Sequence, residues 1–232
     1  MTRAIGLALI SLAAFACGGS APLATSPSPA PSASASTTIP PDGAAPTTSS
    51  VVHFDDLGVS LDVPSGFRVV GDDELASRIR ASANPRLTAS LEQRASDKKG
   101  LPLLTLSKET TSPGDGLTLT LTVATVPIDA TAAELIAEQK TVMSENLAQF
   151  AVVGGPNDIS VDGVAGSELT DVYSTNGSAG PVKSKAVLRL FIRRGLAFVL
   201  VAVWPQSAPP ERETDARALI AGLRFYPPTA SE

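Results

Sequence analysis

A strict alternation of leucine and threonine, from Leu117 to Val123, places the tightest limit on how this chain can fold. Apolar side chains at every second position share one face of a β-strand, whereas a helix would scatter them around its surface. Such a strand must pair with others and lay its leucine face on a hydrophobic core. A second apolar run, Leu101–Leu106, precedes it across a turn at Ser112–Gly116, which predicts an antiparallel pair.

Strand signals recur on both sides of this pair, in short apolar runs separated by turn residues. Turns at Asp55–Gly58, Asp162–Gly163 and Arg193–Gly195 each separate two such runs, which predicts three hairpins. The strands assigned to them are Val51–Phe54 with Val59–Val63, Ile159–Val161 with Val164–Tyr173, and Val187–Ile192 with Leu196–Val203, and a last strand covers Leu223–Tyr226.

Two helices have clear start signals. Thr131 and Glu134 form a capping box, in which a hydroxyl and a carboxylate satisfy backbone amides that a helix start leaves unpaired. The stripe predicted to be buried on this helix is Leu135, Ile136, Val142, Met143, Leu147 and Phe150. Pro209-Pro210 lead a final helix, Glu211–Ala221, for which Gly222 is predicted to be a left-handed cap.

A shorter helical pattern follows the capping residues Asp72 and Asp73, over Glu74–Ile79, and resumes after Pro85 over Leu87–Arg94. The order of strands, helix, a meander of strands, helix and strand fits an antiparallel sheet packed with helices. The sequence therefore predicts a single α+β domain over residues 51–228.

The single cysteine, Cys17, ends a segment that looks like an export signal. Arg3 gives a positive start, and an uncharged apolar run over Ala4–Phe15 is too short to span a bilayer. Small residues before the cysteine and glycines after it, in Ala16-Cys17-Gly18-Gly19, resemble the bacterial lipobox. The resemblance implies that residues 1–16 are a lipoprotein signal peptide and that Cys17 carries a palmitate-type anchor. The alternative is a plain secretory signal cut after Ala16, which would leave a free terminal thiol.

Residues 17–50 are predicted to form a disordered tether, because Ala, Ser, Thr and Pro supply almost all of their side chains. The segment has no apolar periodicity and cannot bury enough surface to offset the entropy of ordering. Fully extended, it could reach on the order of 100 Å. Together with the anchor, it predicts an extracytoplasmic protein held to the cell membrane or the outer membrane, in the periplasm or elsewhere in the cell envelope.

Five features of the predicted domain resemble the Mog1/PsbP-like fold, a group that includes bacterial lipoproteins of the LpqN kind and DcrB-like proteins. The features are the passage Gly58–Phe67, the helix after Pro127, the turn Val161–Gly163, the turn Arg194-Gly195, and the helix-to-strand passage Ile220–Phe225. The resemblance covers nearly all of the predicted domain. It implies an α/β/α sandwich, and a module that docks to other proteins rather than an enzyme.

The sequence offers no catalytic constellation. His53 is the only histidine, but it lies in an apolar strand run, and no Gly-x-Ser-x-Gly elbow occurs. Asp55-Asp56 and Asp72–Glu74 lack the spacing of a calcium loop and are interpreted as turn and cap residues. Trp204 is interpreted as packing at the edge of the core. No catalytic, cofactor-binding or metal-binding residues are predicted, and Cys17 is the only predicted site of modification.

The charge balance limits the classes of partner. A net charge of −5 disfavours nucleic acid, which needs a basic face to neutralise phosphates. The sequence therefore predicts a membrane-anchored lipoprotein whose domain binds an envelope protein partner without catalysis and without a cofactor. Two alternatives stay open: a cell-envelope hydrolase, and a carrier of a small hydrophobic ligand that would need an open cavity between sheet and helix.

Overall fold

A computed structural model describes residues 49–71, 74, 103–108, 116–177 and 180–228. Within these residues the chain forms ten strands, two α-helices and a short 3-10 helix, Asp55–Leu57. The strands are β1 Ser50–Phe54, β2 Val59–Val63, β3 Arg68–Val69, β4 Leu104–Lys108, β5 Leu117–Thr125, β6 Ala148–Val161, β7 Val164–Gly177, β8 Gly180–Arg193, β9 Leu196–Pro205 and β10 Leu223–Phe225. The helices are α1 Ala132–Asn146 and α2 Glu211–Ala221.

The described strands form two antiparallel sheets. A large sheet has the order β3-β4-β5-β9-β8-β7-β6, and a small sheet has the order β1-β2-β10. The three predicted hairpins are present as β1–β2, β6–β7 and β8–β9, and β4 pairs with β5 as expected. The predicted α+β class, with an antiparallel sheet packed by helices, is confirmed.

The large sheet lies between two layers. On one face α1 packs over β6, β7 and β8. On the other face α2 and the small sheet cover β5, β8 and β9, and their side chains form the larger of the two cores. Three-layer packing explains the almost continuous apolar sequence of β9, because this interior strand is buried on both faces.

The alternating strand β5 is buried on both faces. Its leucines share one face and point into a hydrophobic core, as predicted, and this core lies beneath α2. Thr118, Thr120 and Thr122 on the opposite face are buried too, with Thr122 only 2% exposed. The Leu face and the Thr face of β5 therefore both lie in interior layers, and neither face is exposed to solvent.

Helix α1 begins as predicted but ends sooner. Thr131 Oγ1 accepts a hydrogen bond from the Glu134 amide at 3.2 Å, and Glu134 accepts one from the Thr131 amide at 3.0 Å. The helix stops at Asn146, so Leu147 and Phe150, both expected on its buried stripe, lie beyond it: Leu147 is the extended residue after the helix and Phe150 belongs to β6. Its buried side chains are Leu135, Ile136, Gln139 and Met143, so a polar residue occupies the stripe.

Strand β6 is much longer than the predicted Ile159–Val161. It starts at Ala148 and runs through Gly154-Gly155-Pro156, which has the composition of a loop. Three register shifts against β7 accommodate this segment as bulges at the edge of the sheet. Gly155 has φ +83°, and a β-carbon there would lie 2.4 Å from the Glu168 carbonyl oxygen, so glycine is required.

The prediction of a left-handed cap at Gly222 is wrong. Its φ is −74°, which any residue can adopt. Glycine is needed there because β2 passes very close: a β-carbon would lie 2.7 Å from the Asp62 carbonyl oxygen. The Asp62 amide donates a hydrogen bond to the Gly222 carbonyl at 3.0 Å, so this approach joins the end of α2 to the small sheet.

Several predicted features lie outside the described residues. They are the signal peptide 1–16, Cys17, the tether up to residue 48, Asp72, Asp73 and most of the two short helical patterns between them and Arg94. Strand β1 begins at Ser50, the last residue assigned to the tether. Among the described residues, no helix combines the length and apolar character needed to cross a membrane.

Candidate functional site

A cleft of about 300 Å³ opens on the α2 side of the large sheet, where β6 and β7 extend beyond the cover of α2. Strands β6 to β9 supply its floor, and the link from β9 to α2 supplies one wall. Its apolar lining consists of Val153, Val172, Trp204, Ala208, Pro209 and Pro210. Lys185 and Glu213 are the charged residues that line it.

Strand register places the floor residues side by side. Val172 of β7 is opposite Lys185 of β8, which is opposite Trp204 of β9. Opposed residues on neighbouring strands point to the same face, so these three side chains form a row across the sheet. On β6 the residue opposite Val172 is Ala151, and Val153, in the bulge that follows, lines the cleft at the sheet edge and is 56% exposed. The cleft thus continues into an exposed apolar rim.

Trp204 packs in the core while it also lines the cleft. It is 3% exposed and belongs to the core beneath α2, which confirms its interpretation as a packing residue. Lys185 Nζ lies 5.7 Å from the centre of its ring, within the range of a cation–π contact. The tryptophan is therefore a fixed part of the cleft floor.

The two charged residues that line the cleft, Lys185 and Glu213, form an ion pair with each other. Lys185 Nζ donates to Glu213 Oε2 at 2.7 Å. Hydrogen bonds from Lys185 and then Arg217 lower the pKa of the Glu213 carboxyl below its ordinary value. Glu213 is therefore ionised at neutral pH and does not have the raised pKa that a general acid at neutral pH requires.

The same charges hold α2 against the sheet. Arg217 donates to Glu213 at 2.9 Å and lies 3.9 Å from Glu168 on β7. Glu168 in turn accepts a hydrogen bond at 2.6 Å from Arg189, its direct partner on β8. This chain of ion pairs fixes the position of the helix that forms one side of the cleft.

His53 and Asp55 both contact Tyr226. His53 is exposed on β1, with its ring edge-on to Tyr226 at 6.2 Å. Asp55 accepts a hydrogen bond from the Tyr226 hydroxyl at 2.8 Å, and burial together with this bond raises the pKa of Tyr226 to about 12. In the part of the chain that the structure describes, no three His, Cys, Asp or Glu side chains are grouped to hold a metal.

Four of the five features that carry the family resemblance meet at one corner of the domain. Arg193, beside the predicted turn Arg194-Gly195, donates to the carbonyls of Gly58 and Tyr226, each at 2.9 Å. Asp162 accepts a hydrogen bond from the Phe225 amide at 2.9 Å. These contacts join the small sheet to the large one, so the resembling residues build the fold and not the cleft.

One buried acid was missed in the sequence. Asp171, on β7, is 0% exposed, and neither of its carboxylate oxygens has a hydrogen-bond partner. Burial raises its pKa to about 7. Its position could have been noticed, because Leu169, Asp171 and Tyr173 alternate on one face of a predicted strand, and an acid on an apolar face is unusual.

Comparison with known proteins shows similarity of architecture at low sequence identity. The cyanobacterial PsbP of Synechocystis is 12% identical, over 82% of this chain and 99% of that one, with a TM-score of 0.49. LpqN of Mycobacterium tuberculosis, involved in cell envelope biogenesis, is 15% identical, over 78% and 91%, with a TM-score of 0.47. The Ran-binding protein Mog1p of Saccharomyces cerevisiae is 8% identical, over 77% and 96%, with a TM-score of 0.41. No protein-family model and no curated protein matches the chain. In architecture the chain is similar to these Mog1/PsbP-like structures.

Proposed function

We propose that this chain is a lipid-anchored, extracytoplasmic binding module that docks an envelope protein in the cleft beside Trp204. The observation that carries the proposal is the cleft, where the apolar floor continues to the exposed side chain of Val153. A partner would insert one apolar side chain there and cover the rim. The anchor at Cys17 and the tether would let the domain search the space next to the membrane for that partner.

The shape of the cleft favours a protein over a small ligand. Sites for small molecules bury most of the ligand surface and occupy about 300–1,000 Å³. This cleft lies at the lower limit, with a volume of about 300 Å³, and it is open along one side. A side chain that belongs to a folded partner can use such a cleft, because the rest of the partner covers the open side.

The charges beside the cleft favour binding over hydrolysis. A hydrolase that uses carboxylates needs one acid with a raised pKa and a second group facing it. Glu213 is the carboxylate that lines the cleft, and its hydrogen bonds to Lys185 and Arg217 lower its pKa. The ion pair therefore serves as a fixed polar border for a docked apolar group.

The anchor is tested by metabolic labelling with a palmitate analogue and by fractionation. The wild-type chain is expected to incorporate the label and to remain with membranes, because two or three acyl chains hold a protein essentially permanently. The Cys17→Ser variant should be unlabelled and soluble. Release of unlabelled wild-type protein would rule out the anchor and leave the cleft proposal to be tested separately.

The cleft is tested by exchanging one exposed aliphatic residue for a charge. In Val153→Asp, a partner's apolar side chain would face a carboxylate, and we expect its binding to fall at least tenfold. Ile128→Asp is the matched control, since Ile128 is 91% exposed and does not line the cleft. Binding is measured by capture from membranes with the anchored protein. Equal capture of one partner by both variants would contradict the proposed site.

A further inference from the structure

The buried acid Asp171 lies in the layer between the large sheet and α1. Leu169 and Tyr173, two residues before and after it on β7, belong to the core beneath α1. Side chains alternate along a strand, so Asp171 points into the same layer. It stands opposite Val152 on β6 and Ala186 on β8, on the middle one of the three strands that α1 contacts.

The surroundings of Asp171 are almost entirely apolar. The inward side chains of the elements around it are Leu135, Ile136, Gln139 and Met143 on α1, Val152 on β6, Leu169 and Tyr173 on β7, and Ala186 and Leu188 on β8. Among the described residues, Tyr173 is the only other titratable side chain directed into this layer. A carboxylate that ionises here loses its hydration without gaining a hydrogen bond or a counter-charge.

The charged residues of the neighbouring elements point elsewhere. On α1, Glu134, Lys140 and Glu145 are exposed and Glu138 is half-buried. On β6, Asp158 lies on the same side of the sheet but is exposed. The charges of β7 and β8 face the α2 side, where Glu168 binds Arg189, Lys185 binds Glu213, and Arg193 binds Gly58. Lys183 is exposed on that same side of β8.

Helix α1 is the element that can most easily expose Asp171 to water. Strand β7 is paired along its length with both β6 and β8, so moving it would break two ladders of hydrogen bonds. Helix α1 is held by four buried side chains and by no backbone ladder to the sheet. Elements with few buried contacts open at lower free energy than interior strands.

We propose that Asp171 is a proton-operated latch for α1, which packs on the sheet while the carboxyl is protonated and opens when the carboxyl ionises. The closed state keeps an uncharged acid in an apolar layer, and the open state lets water solvate the anion. This inference concerns the α1 face and is independent of the cleft on the opposite face of the sheet.

Hydrogen exchange of the α1 amides between about pH 5 and pH 8 tests the latch in the full-length chain. After correction for intrinsic exchange rates, protection of α1 is expected to fall on the order of 50–100-fold over this range. The amides of β8 and β9, which exchange only on global unfolding, should remain more protected than those of α1 at every pH. In Asp171→Asn, α1 protection should be independent of pH, whereas Asp158→Asn, an exposed carboxylate on the same sheet face, should behave like wild type.

A second measurement needs no variant. The carboxyl carbon of Asp171 is followed by NMR across the same pH range, and its titration should coincide with the loss of α1 protection. The latch is overturned if this carbon titrates near pH 4 like an exposed acid, or if α1 protection is constant with pH. It is equally overturned if the amides of α1, β8 and β9 are equally protected at each pH, because α1 would then open only on global unfolding.

Discussion

Replacing Gly58 with alanine is expected to destabilise the domain by about 3–5 kcal/mol, the largest effect that we expect from a single methyl group. Gly58 has φ +61°, a left-handed conformation that strains other residues. The added β-carbon would lie 2.2 Å from the Tyr226 carbonyl oxygen and 2.8 Å from the Pro228 nitrogen. Both are backbone atoms, so the end of the chain would have to move away from the β1–β2 turn.

That movement would also break the corner where the two sheets join. Arg193 and the Tyr226 amide both donate to the Gly58 carbonyl at 2.9 Å. The change is measured as the free energy of unfolding in urea. Gly163→Ala is the control, since Gly163 has φ +78° but no atom within 4 Å of the added carbon. Gly163→Ala should lower the free energy of unfolding only by the backbone strain, about 1–2 kcal/mol. Equal losses of stability in the two variants would contradict the steric account.

Replacing Asp171 with asparagine is expected to stabilise the protein at pH 8 by about 2–4 kcal/mol, and to have much less effect at pH 5. The pKa of Asp171 is raised from 3.8 to about 7 in the folded protein. Between these two values the folded state holds a proton that the unfolded state has lost. The stability of the wild type therefore falls as the pH rises from about 4 to about 7 and then levels off.

Asparagine has nearly the same shape but cannot ionise, so this dependence should disappear. Urea unfolding of both proteins at several pH values measures the difference. Contributions from other groups, such as Glu213 with its lowered pKa, cancel in the comparison of variant and wild type. Parallel stability curves for the two proteins would show that Asp171 ionises freely in the folded state.

The local elements could largely be predicted because each has its own signal. The capping box at Thr131 and Glu134 gave the start of α1, and the prolines before Glu211 gave the start of α2. Turn residues located the three hairpins. Strand β6 was underestimated because glycines and a proline in a bulged edge strand have the composition of a loop.

The candidate site could not be predicted because it depends on tertiary packing. Val153, Val172, Lys185 and Trp204 come from four strands whose register is set by bulges and hairpin lengths. Glu213 reaches them only because α2 crosses the sheet. The need for glycine at position 222 could not be predicted for the same reason, since it arises from the close approach of Asp62 on β2. Sequence patterns indicate the local conformation of a strand or helix and which of its faces is buried. They do not indicate which distant residues contact that face.

The most direct test of the binding proposal is site-specific photo-crosslinking in the full-length, membrane-anchored protein. A photoreactive residue replaces Val153 at the rim of the cleft, and in a second protein it replaces Ile128, an exposed aliphatic residue away from the cleft. We expect one discrete adduct with an envelope protein from position 153 and none from position 128. The same adduct from both positions, or an adduct from position 128 alone, would contradict docking in the cleft.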